Sequence, residues 1–340
     1  NKTKRPAYWK YYERAGIKDY RKTWNTAMGF ISEEDIPYKF SKRGRKPNLT
    51  RRELVGMSIL YVYFDLDFRE VERLIQLLIN KQLDHSNCVR WFSKLTQEYV
   101  NGMVFKVHKK ILEIDDMGDY IADSTKLTCD RYKKLVKAGE ELLELQTWKL
   151  HTLVMYLTKL GLVSIVNIFA SRGEANDSPP LRNKHLKKDR IIAGRSLHAD
   201  KGFFGKENIE ECRKLGLKPN IVPRNTDNLT DGYLKRYVKK EYDNEARKKN
   251  RGLVETLYGG METESYMRIR CRKPHTRDVY ACLMGLKHEL RTYMRASLMK
   301  LFYLFRTNLT QLNTFLRKEI RMLYCVSVEL EPLKMQLETL

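Results

Sequence analysis

A change of hydrophobic period near Asp119 constrains the fold of this chain more than any other feature. Before it, apolar residues recur at helical spacing, and after it short apolar or alternating runs are separated by turn residues. In order, residues 119–223 predict a strand, a hairpin, a helix, a strand, a helix and a last strand. This succession is typical of a mixed sheet covered by helices. We therefore predict an α/β fold.

The predicted strands are short. They cover residues 119–123, 148–156, 162–170, 191–197 and 218–223, with a turn at 158–161. Asp177 or Ser178 is expected to cap one helix, and a second is expected over residues 203–215. Residues 126–147 are interpreted as an irregular charged insertion, partly helical near 140–145. We expect residues 224–250 to form a loop or an exposed helix.

The region before the sheet, residues 48–115, is expected to be entirely helical. Thr50 followed by Glu53 has the form of a capping box, which predicts that a helix begins there. A second helix is predicted over residues 68–78 and a third from about residue 86 to residue 111. A DNA-binding helix-turn-helix fits short helices joined by tight turns. A purely structural helical bundle is the simpler interpretation of the same pattern.

Residues 1–47 are interpreted as a flexible basic arm, and residues 301–340 as a C-terminal helical segment. The arm ends in the run SKRGRKP, where Arg43, Arg45 and Lys46 are candidate DNA-binding residues. Such an arm can lie in a minor groove, although a solvated linker has the same composition. From residue 251 onward the apolar spacing is mostly helical.

The charge balance points to a polyanionic partner. The 340 residues include 65 Lys and Arg against 42 Asp and Glu, a formal net charge of +23. An excess this large repels itself in a compact fold, and nucleic acid would neutralise it. Six cysteines without a CxxC pair disfavour a zinc site or a disulfide framework and suggest reduced thiols in a cytosol. No apolar run reaches the roughly 18 residues of a membrane span, and no signal peptide is visible.

Three acidic residues in this basic chain are candidate metal ligands. Asp123 and Asp200 are each predicted at the carboxyl end of a strand, and Glu255 is predicted on a helix. Phosphodiester cleavage is served by two metal ions about 3.5–4 Å apart. Mg²⁺ prefers carboxylate oxygens and keeps several waters, so two or three such ligands suffice. Spacing alone does not single out these three, since an Asp after a strand is usually a turn former or a helix cap.

The flanking motifs resemble those of the DDE transposases of bacterial and archaeal insertion sequences. The likeness spans roughly residues 45–300 and consists of five motifs in the family's order. These are IADST at 121–125, WKLH at 148–151, GEANDS at 173–178, HADKGF at 198–203 and RGLVETLY at 251–258. Each motif is weak alone, and their common order makes the resemblance specific.

The resemblance implies an RNase H-like catalytic domain over residues 116–300. Asp123, Asp200 and Glu255 would be its catalytic residues and would hold two Mg²⁺ ions, with Mn²⁺ as the expected substitute. Lys149, His151 and Arg251 become candidates for contacts with DNA phosphates or with the metal ligands. For His151 a satisfied strand histidine, and for Arg251 a salt bridge to Glu255, are equally open.

The implied activity is that of an insertion-sequence transposase. It would bind double-stranded DNA at terminal inverted repeats as a homo-oligomer, expected to be a dimer. It would cleave with metal-activated water and use the freed 3′-hydroxyl to attack target DNA. The implied location is the prokaryotic cytoplasm, in association with the nucleoid and without a membrane part.

Departures from the family pattern keep alternatives open. Lys248 and Glu262 occupy positions where several branches carry Tyr and Lys, and Arg268 or Arg270 are candidates for that basic role. Glu262 and Glu264 are rival third ligands. We prefer Glu255 because Arg251 and Val254 match the motif around it. The glycines at 259–260 predict a helix break that would suit a catalytically inactive DNA-binding relative. A structure-specific nuclease or resolvase on the same fold is the other alternative.

Overall fold

The computed structural model describes residues 18–40, 47–137, 140–173, 175–224, 230–265, 268–271 and 273–301. Within these ranges it leaves out the side chains of 130–137, 140–146, 247, 249–251, 262–265 and 268. The backbone divides into two compact units, Asn1–Arg295 and Ala296–Leu340. The first holds the sheet and nearly all described helices. In the second, residues 296–301 are described and are helical.

Five helices precede the sheet in the part of the chain that the structure describes. They are α1 (Tyr20–Phe30), α2 (Arg51–Tyr63), α3 (Phe68–Ile79), α4 (His85–Phe92) and α5 (Gln97–Leu112). The predicted capping box of α2 is confirmed, because Thr50 accepts from the Glu53 amide and Glu53 accepts from the Thr50 amide. The third predicted helix is instead two, since Thr96 caps a new helix after Phe92.

Helix α1 lies inside the segment expected to be an extended arm. Asp19 caps it by accepting from the Lys22 amide at 2.8 Å, and Trp24 and Ala27 are buried on its inner face. The extended conformation expected for residues 1–47 is therefore wrong for residues 20–30. The few apolar residues at helical spacing, which pack against α2, outweigh the basic composition around them.

The sheet has six strands. They are β1 (Tyr120–Lys137), β2 (Glu140–Leu157), β3 (Leu162–Arg172), β4 (Ser196–Ala199), β5 (Lys218–Ile221) and β6 (Arg268–Ile269). Their order is β3-β2-β1-β4-β5, with β6 beside the outer part of β1. β1 is antiparallel to β2 and parallel to β4 and β6, and β4 is parallel to β5. This mixed sheet with helical cover confirms the expected RNase H-like α/β class.

The expected insertion at residues 126–147 is a continuation of the hairpin. β1 and β2 stay paired far beyond the other strands, from Tyr120 opposite Met155 to Lys137 opposite Glu140, with one irregularity between Thr128 and Tyr132. The helical expectation for residues 140–145 is thus wrong. The charged sequence of this segment shows no apolar alternation, so it did not predict strands. The antiparallel pairing nevertheless satisfies the backbone N–H and C=O groups of the hairpin.

The remaining elements surround the parallel half of the sheet. After β3 come the short helical turns Ser178–Pro180 and Leu181–His185, and after β4 comes α6 (Lys206–Lys214). The loop or exposed helix expected at 224–250 contains the largely exposed helix α7 (Gly232–Lys240) and the start of α8 (Asn244–Ser265), and α9 begins at residue 274. Strand β4 begins at Ser196 rather than at the predicted residue 191. No described helix is both long and apolar enough to cross a membrane.

The outer edge of β3 is closed by helix side chains. Gln97 and Asn101 of α5 accept hydrogen bonds from the amides of Ala170 and Ile168, and Glu289 of α9 accepts from the amide of Ile165 at 2.7 Å. Unpaired strand amides are templates for association with other chains, and these acceptors satisfy them. The candidate site lies away from this edge, in the middle of the sheet around β1 and β4.

Candidate functional site

Asp123 and Asp200 follow paired residues on neighbouring strands. Ala122 of β1 is the register partner of Ala199 of β4 in a parallel pair, and that pairing stops there. Asp123 and Asp200 are the next residues of their chains. Equivalent positions of adjacent parallel strands project to the same face of a sheet. The structure therefore brings these two predicted site residues to adjacent positions where β4 ends.

Asp123 differs from the prediction in one respect, because it does not end its strand. β1 continues to Lys137, since its pairing with β2 outlasts its pairing with β4. Asp123 stands directly opposite Thr152 of β2 and is partly exposed. Its Oδ1 accepts a hydrogen bond from the Ser124 amide at 2.8 Å, which fixes one side of the carboxylate.

Asp200 begins a tight turn at the carboxyl end of β4. Its backbone is extended, its carbonyl accepts from the Phe203 amide at 3.0 Å, and its side chain is exposed. Arg224, which follows β5, braces this turn from outside. Its Nε donates to the Lys201 carbonyl at 2.8 Å and its Nη2 donates to the Gly202 carbonyl at 3.0 Å.

Glu255 lies on helix α8, which packs against β1 and β3. Val254, Leu257 and Met261 form the buried stripe of this helix, and Glu255 is exposed beside it. One turn further along, the Tyr258 hydroxyl lies 2.7 Å from the Thr152 hydroxyl. Glu255 thus lies one turn before the residue that joins α8 to β2 at the position opposite Asp123.

Tyr258 stays protonated beside the candidate site. Burial of its phenol raises its pKa well above the ordinary value, and the negative charges of Asp123 and Asp177 raise it further. The hydrogen bond with Thr152 acts in the opposite direction and is outweighed. A neutral phenol can keep its hydrogen bond to Thr152 without adding a negative charge next to Asp123.

The three predicted ligands are not gathered into one cluster. Among the described residues, no group of three or more His, Cys, Asp or Glu side chains is close enough to hold a metal ion. The structure thus brings Asp123 and Asp200 to adjacent positions and leaves Glu255 on the neighbouring helix. The side chains of the rival ligands Glu262 and Glu264 lie outside the description. The choice of Glu255 stays a prediction.

Lys149 and His151 of β2 converge on Asp177. Lys149 Nζ donates to Asp177 Oδ2 at 2.8 Å, and His151 Nδ1 lies 3.2 Å from Asp177 Oδ1. His151 is fully buried, and its Nε2 lies 2.8 Å from the Ser171 hydroxyl. Of the roles open to this pair, the structure displays the internal one, in which both side chains face a carboxylate. Asp177 begins the next helical turn, but its side chain makes no capping bond there.

The other candidate DNA contacts fall outside what the structure describes. Arg43, Arg45 and Lys46 lie in the undescribed segment 41–46. Arg251 is in the backbone of α8, but its side chain is not described. Arg270, a candidate for the basic role downstream of Glu255, donates instead to Asp65 at 3.0 Å. These DNA contacts remain predictions.

Three residues of the site were not singled out from the sequence. Thr152 and Arg224 belong to no motif, and Asp177 stands in the GEANDS motif without a role beyond that of a possible helix cap. For Asp177 a signal existed, because Lys149 and His151 are two apart on a strand and therefore share a face. A Lys and a His on one strand face favour an acidic partner nearby. Thr152 and Arg224 carry no comparable signal.

A comparison with protein families decides the classification. The family model described as "Transposase DDE domain" matches residues 115–296, more than half of the chain. The chain belongs to the transposase DDE domain family. The match begins just before β1, and it includes Asp123, Asp200 and Glu255, together with Asp177 and Tyr258. All five motifs lie within the matched range.

The chain is also similar to a protein without an assigned activity. An uncharacterized protein of Aquifex aeolicus (strain VF5) is 24% identical over 233 residues, which cover 66% of this chain and 71% of that protein. The similarity therefore reaches beyond the DDE domain match of residues 115–296. It adds no activity to the classification, because that protein is itself without an assigned function.

Proposed function

We propose that this DDE-family protein is a DNA transposase that cleaves at the ends of an insertion sequence and joins the freed 3′-hydroxyl to target DNA. The observation that carries the proposal is the adjacency of Asp123 and Asp200 where β4 ends, inside the matched domain. The net charge of +23 supports a polyanionic partner.

The residues present fit a divalent metal. Asp123 and Asp200 offer carboxylate oxygens from adjacent positions, and Mg²⁺ is commonly held by one or two carboxylates together with waters and substrate phosphate oxygens. Asp123 and Asp200 would hold or bridge two Mg²⁺ ions, or Mn²⁺ in their place, and Glu255 would complete one of the ligand sets. When bound, such ions supply an activated water at neutral pH and offset charge on the phosphate.

The surrounding residues would keep this arrangement rigid. The Ser124 amide orients Asp123, Arg224 braces the turn after Asp200, and Tyr258 holds α8 to β2. Catalysis of phosphoryl transfer depends mainly on positioning and electrostatics. Gly202 has no side chain, so the turn after Asp200 leaves room for a DNA backbone to approach closely.

DNA binding is assigned to surfaces around this site. We propose that the helical region 48–115 binds the terminal repeats and that Arg43, Arg45, Lys46 and Arg251 contact phosphates. Lys149 and His151 would act through Asp177 rather than on DNA, because His151 is fully buried. The active form would be a homo-oligomer, expected to be a dimer, that holds both element ends.

The continuity of helix α8 bears on whether the protein is an inactive relative. The glycines at 259–260 do not break α8, which runs without interruption from Asn244 to Ser265. The helix that carries Glu255 thus continues through Tyr258 and its contact with Thr152. Continuity of α8 supports an intact site.

The test uses the purified full chain and linear DNA that carries the repeats flanking its gene. With Mg²⁺ we expect nicks at the repeat ends and joined products, loss of both in EDTA, and recovery with Mn²⁺. Glu255→Gln should lose cleavage and keep DNA binding, whereas Glu245→Gln, an exposed change on the same helix, should keep both. Retained cleavage in Glu255→Gln with loss in Glu262→Gln or Glu264→Gln would reassign the third ligand. Cleavage of branched DNA without joining would indicate a nuclease instead.

A further inference from the structure

Asp177 lies between the two segments that carry Asp123 and Asp200. On one side its carboxylate is hydrogen-bonded with the side chain of Ser124, whose amide holds Asp123. On the other side it lies against Gly202, two residues after Asp200, where an added Cβ would be 3.4 Å from Asp177 Oδ2. A single carboxylate thus lies close to a residue that follows each candidate metal ligand, Ser124 after Asp123 and Gly202 two positions after Asp200.

The Asp177 carboxylate is itself held firmly. Lys149 donates to Asp177 Oδ2 and also to the Ala175 carbonyl at 3.2 Å, so it fixes both the side chain and the preceding backbone. Burial tends to raise the pKa of Asp177, but hydrogen bonds with His151, Lys149 and Ser124 outweigh burial and hold the pKa well below its usual range. The carboxylate is therefore ionised at neutral pH.

The next residue makes a second connection to the same turn. Asn208 of α6, which is fully buried, donates to the Ser178 hydroxyl at 2.9 Å and to the Phe203 carbonyl at 2.7 Å. Phe203 ends the turn that begins at Asp200. Asp177 and Ser178 together join β1, β2 and the turn after β4.

We propose that Asp177 is a positioning residue that sets the separation of Asp123 and Asp200 by linking Ser124 to the Gly202 turn. The inference rests on the proposed function, because it assumes that Asp123 and Asp200 hold the metal. It explains why an acidic residue occupies this place without capping the helix that it begins. In this arrangement, Lys149 and His151 hold the Asp177 carboxylate in place.

The contacts argue against a ligand role for Asp177 itself. Both of its oxygens face protein side chains, since Lys149 Nζ lies 2.8 Å from each oxygen and His151 Nδ1 lies 3.2 Å from Oδ1. In the part of the chain that the structure describes, it does not form a three-acid cluster with Asp123 and Asp200. Partners that orient metal ligands typically change metal affinity by 10–100-fold when they are lost, whereas loss of a ligand abolishes the site.

The test measures Mn²⁺ binding to the full chain by electron paramagnetic resonance of the free ion, without DNA and without turnover. Asp177→Asn should raise the dissociation constant of Mn²⁺ about tenfold or more, while Asp123→Asn should abolish binding. Asp189→Asn, an exposed change in the same connection, should match the wild type. Lys149→Gln should weaken binding as Asp177→Asn does, and the double variant should be no weaker than either single one.

Each outcome separates the two proposals. Wild-type binding in Asp177→Asn together with loss in Asp123→Asn would overturn the positioning role and leave the proposed function standing. Loss as complete as in Asp123→Asn would make Asp177 a ligand and would also overturn the positioning role. Unchanged binding in Asp123→Asn would overturn the metal site itself. If Asp177→Asn does not fold, Ser124→Ala, which removes one hydroxyl, should show the same weakening, and wild-type binding there would overturn the link.

Discussion

The hydroxyl oxygens of Tyr258 and Thr152 lie 2.7 Å apart, and this contact ties helix α8 to β2 at the position opposite Asp123. Tyr258 is three residues after Glu255, so the contact also sets where Glu255 projects. Around it, Val254, Leu257 and Met261 bury the inner stripe of the helix. The apolar stripe provides most of the binding of α8 to the sheet, and the hydroxyl pair fixes its register.

Tyr258→Phe should loosen that register. Removal of the phenol oxygen leaves the buried Thr152 hydroxyl without this partner, which costs about 1–3 kcal/mol in the free energy of unfolding. Cleavage should fall more than stability alone explains, because Glu255 loses its fixed position. Urea denaturation and single-turnover cleavage of the same preparation measure the two effects.

The control for that change is Tyr242→Phe. The Tyr242 hydroxyl donates to Asn244 on the exposed surface, so its loss should change stability by less than about 0.5 kcal/mol. In a double-mutant cycle, Tyr258→Phe and Thr152→Val should be strongly non-additive. Additive losses would show that the two hydroxyls do not interact.

Arg224→Gln should impair cleavage with little loss of stability. Arg224 is exposed, but its two hydrogen bonds hold the carbonyls of Lys201 and Gly202 directly after Asp200. A displacement of about 1 Å at a reacting group can lower rates about a hundredfold, so we expect a loss of about ten- to a hundredfold in cleavage rate. Arg236→Gln, an exposed change on α7, should leave the rate unchanged. Equal cleavage rates for Arg224→Gln and Arg236→Gln would show that the hydrogen bonds of Arg224 do not help to position Asp200.

The stability of the protein should depend on pH through Glu289. Burial raises the pKa of Glu289 to about 8, against the opposing hydrogen bonds from Ser164 and from the Ile165 amide. The unfolded chain ionises this group near pH 4.5, so between pH 4.5 and 8 the unfolded state binds fewer protons and stability falls as pH rises. The limiting slope for one proton is about 1.4 kcal/mol per pH unit.

Glu289→Gln isolates this effect, because it keeps the shape and removes the titration. Relative to wild type, the variant should gain stability steadily from pH 5 to pH 8 in urea denaturation. Burial lowers the pKa of the neighbouring His108 to about 3. His108 therefore makes the folded protein less stable only as the pH falls below 6.5, the ordinary pKa of histidine. His108 is present in both proteins and therefore cancels in the comparison. A constant difference across pH 5–8 would show that Glu289 ionises freely.

Two glycine substitutions should act in opposite directions. An added Cβ at Gly285 of α9 would lie 2.0 Å from Ile168 Cδ1 in the core, so Gly285→Ala should destabilise the fold by about 1–3 kcal/mol. At Gly260 of α8 nothing lies within 4 Å of an added Cβ, so Gly260→Ala should stabilise by about 0.5–1 kcal/mol. Thermal unfolding of the two variants measures both. Stabilisation by Gly285→Ala would contradict the close packing of α9 on β3.

The sequence predicts the sheet core well and its extensions poorly. The strands at 148–156 and 162–170 were found because alternation and the Gly161 turn mark a half-buried hairpin, and Gly161 does adopt a positive φ of 64°. The outer arms of β1 and β2 were missed because their charged sequence shows no apolar alternation. Helix α1 was missed because a few buried residues offset a strongly basic composition.

In the candidate site, too, residues in local motifs could be predicted from the sequence and tertiary contacts could not. Asp123 and Asp200 could be found because each follows an apolar run and stands in an ordered motif. Their adjacency depends on the register of Ala122 with Ala199, which no local pattern encodes. The links made by Asp177, Thr152 and Arg224 join residues 22 to 106 positions apart, and such tertiary contacts leave no periodic signal. The third ligand is likewise undetermined by spacing, since Glu255, Glu262 and Glu264 lie on one helix.

Magnesium-dependent nicking of end-containing DNA by Asp123→Asn and Asp200→Asn tests the central claim most directly, with Asp189→Asn as the matched control. The account predicts that both variants bind this DNA as the wild type does in a gel-shift assay and produce no nicks, while Asp189→Asn binds and nicks normally. Nicking at the wild-type rate by either Asp123→Asn or Asp200→Asn would contradict the assignment of a metal site to the end of β4.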